Sequence, residues 1–422
     1  MRMGAVVSQG AGKGCGVLYD GSSRAPVAVG PVMSLWQRQK NWWSEVVWKP
    51  KKAHSLEQLK YQYQVLTRNQ VVTEANKNLL VETFRSIAEI LIWGDQNDSR
   101  VFDFFLEKNM QQFFLKSLSQ KCGRFVCLQL LQTLSILFEN IRNETSIYYL
   151  LSNNHVNSLI VLRLDFSDEE VLAYYISFLK TLSFKLNTHT IHFFYNEHLR
   201  DFPLYTEAIK FFNHSESMVR IAVRTLTLNV FRVNDTQMLE YVCNKTAAPF
   251  FSNLVWFIGN NVIELDECLL SQAQLPFEQR QTGRTGGGQH LDHLYYIKDI
   301  LCLGLDSLSS VLADQLLNRL LIPLYVFSLT DQSPFPEGQE SPRISATLAL
   351  FLLAQVFLVL SESDVVLPLA YVILTGDTSL SLPSLLTHSN PCQRKENTDD
   401  PLLSHQWSRL RDQDPLFSRP AL

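Results

Sequence analysis

Thiols and imidazoles are the residues of this chain with the most chemistry available, and their spacing limits what they can do. Cysteines occur at Cys15, Cys122, Cys127, Cys243, Cys268, Cys302 and Cys392, an odd set with no CxxC pair. A RING-type zinc centre needs eight Cys/His ligands in short paired spacings, because each Zn²⁺ is held tetrahedrally by four of them. No such array exists, and Cys122 and Cys127 read as packing residues on or near a buried helix face. A thioester-forming thiol would need an electropositive, accessible setting. Cys243, two residues before Lys245, is the least unfavourable candidate for that alternative, a ubiquitin-transfer enzyme. His189, His192 and His198 form the densest histidine cluster, but Phe193, Phe194 and Tyr195 between them indicate packing. His290 and His293 flank Asp292 without a further obvious ligand, and core hydrogen bonding is the simpler reading. Gly286, Gly287 and Gly288 lack the Lys and Ser/Thr of a phosphate loop. No cofactor, metal or catalytic centre is expected, and the chain reads as a non-enzyme.

Residues 34–53 carry a different chemistry. Trp36, Trp42, Trp43 and Trp48 alternate with basic residues that include Lys49, Lys51 and Lys52, against a single acid, Glu45. Indole rings favour the lipid headgroup region and cationic side chains favour anionic leaflets. The segment therefore either contacts an anionic membrane or docks its tryptophans on the first helices of the fold.

These groups need elements to position them, and the apolar periodicity is helical. Leu80, Phe84, Ile87 and Leu91 recur at i, i+4, i+7 and i+11, after a start at Thr73 and Glu74. The template returns with Val126, Leu130, Leu134 and Leu137; with Val171, Tyr175, Leu179 and Leu182; and with Val219, Val223, Leu226 and Val230. Its first positions are 46, 45 and 48 residues apart. A period of that size predicts an all-α, HEAT/armadillo-like stack, in which each helix group buries its apolar face on the next. Asp98 and Ser167 are candidate N-caps, and the segments 98–108, 142–163 and 203–213 fill the gaps between layers. Arg220 and Arg224, four apart on one helix, form either a partner surface or inter-helix salt bridges.

The chain divides into a disordered segment over 1–33, the Trp/Lys-rich amphipathic segment over 34–53, a helical repeat domain over 54–268, and a flexible loop over 269–289. C-terminal helices of the same stack follow over 290–376, then a disordered tail over 377–422. Ala346–Leu360 and Val365–Leu374 are too short to span a bilayer, which takes about 20 apolar residues, so they read as buried terminal helices. An integral membrane trafficking component is the alternative. The first 32 residues lack the continuous apolar core of a secretory signal. A net charge of −4 without a long basic stripe between 55 and 380 disfavours nucleic acid as a partner. The scattered thiols fit a reducing, cytoplasmic setting.

Five longer blocks are idiosyncratic: Asn78–Phe84, Glu89–Asp98, Val101–Met110, Tyr195–His198 and Leu204–Phe212. Together with Phe202, Pro203 and Leu204, and with Asn253–Gly259, they resemble the FPL-domain family over roughly His54 to Gly376. The resemblance implies a role in endosome–lysosome maturation, vesicle trafficking and autophagy, including mitophagy. It also implies association with vesicle-tethering components of the class C/HOPS type and with a RING-type ubiquitin ligase. The expected location is cytoplasmic, peripheral on endosomal, lysosomal or Golgi membranes.

Overall fold

The computed structural model describes residues 54–120, 123–273, 284–330, 342–361 and 363–376. The Trp/Lys segment, Cys122, the Pro-rich stretch 333–341 and the tail from 377 lie outside the described residues. Among the described residues every regular element is helical, with one isolated antiparallel bridge between Asn196 and Asp201. The chain divides into two compact units, residues 1–257 with 299–305, and residues 258–298 with 306–422. The division falls inside a helix and not in the loop expected over 269–289.

In the first unit, α1 (Leu56–Arg68) packs on α2 (Lys77–Asn97) and α3 (Arg100–Glu107), and α4 (Gln111–Ser119) follows. The next layer is α5 (Gly123–Asn140), α6 (Glu144–Leu151) and α7 (His155–Ile160). A third contains α8 (Glu169–Ser183) and α9 (Pro203–Ile209), and α10 (Ser217–Phe231) and α11 (Thr236–Tyr241) begin a fourth. The long helices α2, α5, α8 and α10 contact one another in that order; α3 packs on α6, and α7 packs on both α4 and α9. The apolar template is what these contacts bury: Leu80, Phe84, Ile87 and Leu91 are 0–1% exposed, and Leu130, Leu134, Leu179 and Leu226 are no more open. In the last turns of α2, a Cβ on Gly94 would lie 2.9 Å from Val101 Cβ, so the glycine lets α3 fold closely back on α2.

The sequence period is also visible in polar contacts between residues one layer apart. Arg85 of α2 donates to Gln129 of α5, and Arg124 of α5 pairs with Asp168 and Glu170 at the start of α8. Asp95 at the end of α2 accepts the backbone N–H groups of Arg142, at 3.0 Å, and Asn143, at 3.3 Å. His155 Nε2 lies 2.6 Å from Asn109 Oδ1, Lys185 Nζ donates to the Ile141 carbonyl at 2.8 Å, and Asn229 donates to Ser183 Oγ at 3.0 Å. These pairs are 44 to 48 residues apart, so one period in sequence is one step between layers.

Three expected helix starts are corrected. Helix α8 is capped by Asp168, which accepts from the N–H groups of Glu170 and Val171, and not by Ser167, whose own N–H donates to Asp165. The carboxylate suits the positive helix N-terminus better than a hydroxyl would. Helix α2 begins at Lys77 and not at Thr73, because Asn76 Oδ1 holds the Thr73 N–H at 2.8 Å in a turn. Asp98, also expected as an N-cap, accepts the Arg100 N–H at 3.1 Å but ends α2, and the residue at the N-terminus of α3 is Ser99, whose side chain makes no cap bond.

Beyond α11 a π-helical stretch, Val242–Ala247, leads into α12 (Ala248–Ala273). Helix α13 (Arg284–Leu301), in the second unit up to Lys298, turns through Gly304, at φ 68°, into α14 (Asp306–Leu316). Of the loop expected over 269–289, residues 269–273 and 284–289 are therefore helical, and 274–283 lie outside the described residues. Leu294, Ile297 and Ile300 bury the rest of α13, and their packing carries its glycine-bearing first turns into helix. Helix α14 continues as a π-helical segment, Leu317–Val326, where Pro323 removes one backbone donor, and ends in the 3-10 turn Phe327–Leu329. Asp306–Leu329 is the one helix among the described residues long and apolar enough to cross a membrane; 56% of its apolar window is buried in the fold.

Helices α15 (Ala346–Val359) and α16 (Ser363–Thr375) pack on the π-helical segment. Asp266 of α12 caps α15, accepting from the Ser345 N–H at 2.8 Å and the Ser345 hydroxyl at 2.5 Å. The expectation that these helices are simply buried is corrected. Leu348, Leu352 and Val356 face inward, while Leu350, Phe351 and Leu358 on α15 and Leu367 and Leu374 on α16 are exposed. Each helix is apolar on more than the one face that its neighbours cover.

Candidate partner-binding cleft

A cleft lies in the first unit, where the loop after α8 meets the fourth layer. Its loop side is Tyr195–Asp201. The Asn196 N–H donates to the Asp201 carbonyl at 2.9 Å, the Asp201 N–H returns to the Asn196 carbonyl at 3.2 Å, and Asn196 Oδ1 accepts the Leu199 N–H at 3.0 Å. The tight closure places Arg200 at φ 47°, a left-handed conformation uncommon for a non-glycine residue. Phe202, Pro203 and Leu204 fix the end of this loop. Phe202 is fully buried with its ring 6.0 Å from those of Tyr195 and Tyr205; Pro203 occupies the first turn of α9, where a missing N–H costs nothing; Leu204 is also fully buried. The tripeptide positions the cleft and is not itself a contact surface.

The opposite wall is helical. Asp235 caps α11 by accepting the Met238 N–H at 2.8 Å, which sets the direction of the following turns. Gln237, Glu240, Tyr241 and Asn244 then fall at i, i+3, i+4 and i+7, a single face turned to the loop. With Tyr195, Glu197 and Arg200 they line a cleft of about 200 Å³. Gln237 Nε2 donates to Glu197 Oε1 at 2.8 Å, and the Tyr195 and Tyr241 rings lie 5.4 Å apart at 41°. Burial pushes both phenol pKa values up. The Arg200 charge opposes this at Tyr195, while Glu197, Asp235 and Glu240 reinforce it; Asp201 adds to it at Tyr241. Carboxylates around two aromatic faces form a binding chemistry, with no nucleophile–base pair among the lining residues.

The other sequence-derived candidates fall elsewhere. Arg220 donates to the carbonyls of His214, at 2.6 Å, and Ser215, at 2.7 Å, so its guanidinium holds the loop before its own helix. Arg224 is half-buried one turn later. Cys243 is half-buried in the π-helical stretch; Cys127 is buried, and Cys268 and Cys302 are exposed. His189, His192 and His198 are exposed on separate turns, and among the described residues no three His, Cys, Asp or Glu side chains converge as a metal site would require. His290 is 5% exposed and neither ring nitrogen has a hydrogen-bond partner among the described residues, contrary to the expected core hydrogen bonding. Its ring lies 6.0 Å from that of Tyr325, and burial lowers its pKa to about 4. The candidate membrane residues Trp36, Trp42, Trp43, Trp48, Lys49, Lys51 and Lys52 lie outside the described residues.

Comparison with known proteins places this architecture. One family model, FPL, described as an uncharacterised conserved protein, matches residues 84–231, and a second, the CLEC16A helical domain, matches residues 285–398. The chain thus carries an FPL domain and a CLEC16A helical domain. It is 64% identical over 330 residues to Protein CLEC16A of Homo sapiens, covering 77% of this chain and 31% of that protein. It is 57% identical over 355 residues to the Drosophila melanogaster CLEC16A homolog, covering 79% and 33%. TRANSPARENT TESTA 9 of Arabidopsis thaliana is 37% identical over 326 residues, covering 75% and 38%. The chain thus spans between 31% and 38% of the length of these relatives. The helical-domain match extends the family likeness past Gly376, where the sequence blocks alone end it. The FPL match ends at Phe231, so the loop wall of the cleft lies inside it and the α11 wall lies beyond it.

Sequence reading singled out Tyr195–His198 as a distinctive block but missed the other wall. The i, i+3, i+4, i+7 set at 237–244 is polar and aromatic, so a search for apolar faces passes over it.

Proposed function

We propose that this FPL-domain chain is a non-enzymatic scaffold in endosome–lysosome trafficking and autophagy, including mitophagy. In this reading it joins vesicle-tethering components of the class C/HOPS type to a RING-type ubiquitin ligase. It works from the cytoplasmic side, peripheral on endosomal, lysosomal or Golgi membranes. The observation that carries the scaffold reading is the layered packing of the first unit. The periodic apolar side chains of its long helices are buried between layers, while loops and helix ends leave polar residues and some apolar ones such as Phe184 and Leu199 exposed, the arrangement by which repeat proteins present binding surfaces. The two shared domains support the cellular setting, and the cleft supplies a place for a partner side chain.

Proximity labelling with the full chain in cells tests this. The expected result is enrichment of tethering-complex and ubiquitin-ligase proteins over a helical control protein of matched size and abundance. Equal labelling of these proteins by the control would refute it.

A further inference from the structure

We propose that helices α15 and α16 form a self-association surface whose partner is a second copy of this chain. Both helices leave an apolar stripe uncovered. On α15, Thr347, Leu350, Phe351, Ala354, Phe357 and Leu358 are exposed along one face, and Thr347, Phe351, Ala354 and Leu358 within it follow the spacing of a helix-pairing seam, four, three and four residues. On α16, Leu367, Tyr371 and Leu374 are exposed at steps of four and three. The opposite faces, with Leu348, Leu352 and Val356 on α15 and Val365, Leu369 and Val372 on α16, are buried. A helix that is apolar all round belongs in a protein core or a membrane, and α15, with 14 residues, falls short of the about 20 that spanning a bilayer takes. Neither helix contains a lysine or arginine, the cations with which interfacial helices hold anionic lipid. Protein is therefore the fitting cover.

The order of large and small residues points to a second copy. Two α15 helices pairing antiparallel about a dyad between Leu352 and Leu353 set Phe351 opposite the partner's Ala354, and Leu358 opposite the partner's Thr347. One register thus gives every layer of the seam a large side chain against a small one, so that knobs enter holes of matching size and the contact closes as a two-fold dimer. Helix α15 contains no charged residue, so no like charges meet across the dyad. The area agrees. Leu350, Phe351, Phe357 and Leu358 on α15 and Leu367, Tyr371, Ile373 and Leu374 on α16 are 38–85% exposed. At roughly 150–200 Å² for each fully exposed large side chain, they leave about 700–900 Å² of apolar surface. A stable interface takes about 800 Å² from each partner. This pairing uses the second unit alone and does not depend on the scaffold reading.

Sedimentation velocity of the full chain across the micromolar range tests this, with reversible dimers expected in the parent. Leu358→Lys should weaken association at least about tenfold, the scale of losing a large buried anchor. Ala354→Phe should weaken it about tenfold or more, because two phenyl rings then overfill each central layer. Exchanging the sizes, Phe351→Ala with Ala354→Phe, keeps the volume of each layer and should return association to within about threefold of the parent. All these positions are exposed in the single chain, and circular dichroism establishes that each variant is folded. Recovery in the size exchange is an outcome that a general loss of structure would not give. A monomeric parent, undiminished association in Leu358→Lys or Ala354→Phe, or no recovery in the folded size exchange would overturn the proposal. A monomeric parent that floats with phosphatidylcholine vesicles would overturn it in favour of lipid as the cover.

Discussion

Removing one ring from between two layers measures how much of the fold each layer boundary carries. Phe138 of α5 and Phe178 of α8 are both fully buried, with centroids 6.1 Å apart and planes at 61°, an edge-to-face contact across the boundary. Truncating a buried phenylalanine costs about 3–5 kcal/mol, through lost transfer free energy and the cavity left behind. About 0.5–1.5 kcal/mol of that belongs to the aromatic pair itself. Phe178→Ala should therefore lower the urea-unfolding stability of the first unit by about 3–5 kcal/mol. A double-mutant cycle with Phe138→Ala should return a coupling of about 1 kcal/mol, the pairwise share. Hydrogen exchange read by mass spectrometry gives the spatial half of the prediction. In a layered stack, stability is approximately a sum of layer and nearest-neighbour contributions, so protection should fall first in α5 and α8. A loss below about 1 kcal/mol, the range of ordinary surface substitutions, or a coupling of zero would refute the idea that this boundary is a packed interface.

Two further outcomes follow from other parts of the chain. His290 has a folded-state pKa of about 4 because burial disfavours its charged form, against about 6.5 in the unfolded chain. Between those values the unfolded state binds a proton that the folded state does not. Stability of the second unit should therefore fall as pH drops from about 6.5 to 4, by up to about 3 kcal/mol, and His290→Phe should flatten that slope; urea midpoints from pH 4 to 7 in both proteins check it, and identical slopes would contradict it. For the Trp/Lys segment, co-sedimentation with anionic liposomes should be at least about tenfold stronger for the full chain than for a chain starting at Ala53, since each near-surface basic charge contributes about 1 kcal/mol. Equal binding would remove the membrane role.

Much of this fold was legible in sequence because burial leaves a periodic trace. Leu80, Val126, Val171 and Val219 mark four long helices, and their spacing reappears as the separation of residues that touch. What failed was local competition between similar groups: Asp168 caps in place of Ser167 because both have the required oxygen and only the charge decides. The π-helical stretches Val242–Ala247 and Leu317–Val326 were not legible, because a one-residue change in hydrogen-bond register leaves little mark on an apolar pattern. Nor was the cleft. Its walls come from the turn after α8 and from α11, and only the Tyr195–Tyr241 ring contact and the Gln237–Glu197 hydrogen bond show that they meet.

Layer-upon-layer stacking, on which the scaffold function depends, is tested most directly by cross-linking at the sequence period. Asn109→Cys with His155→Cys, and Ser183→Cys with Asn229→Cys, each join positions 46 residues apart whose side chains touch. A short bifunctional thiol reagent, with products assigned by peptide mass spectrometry, should link both pairs in the folded chain. It should leave Asn109→Cys with Asn229→Cys unlinked, because two layers intervene. Cross-linking of the distant pair, or none at the two adjacent ones, would contradict the stack.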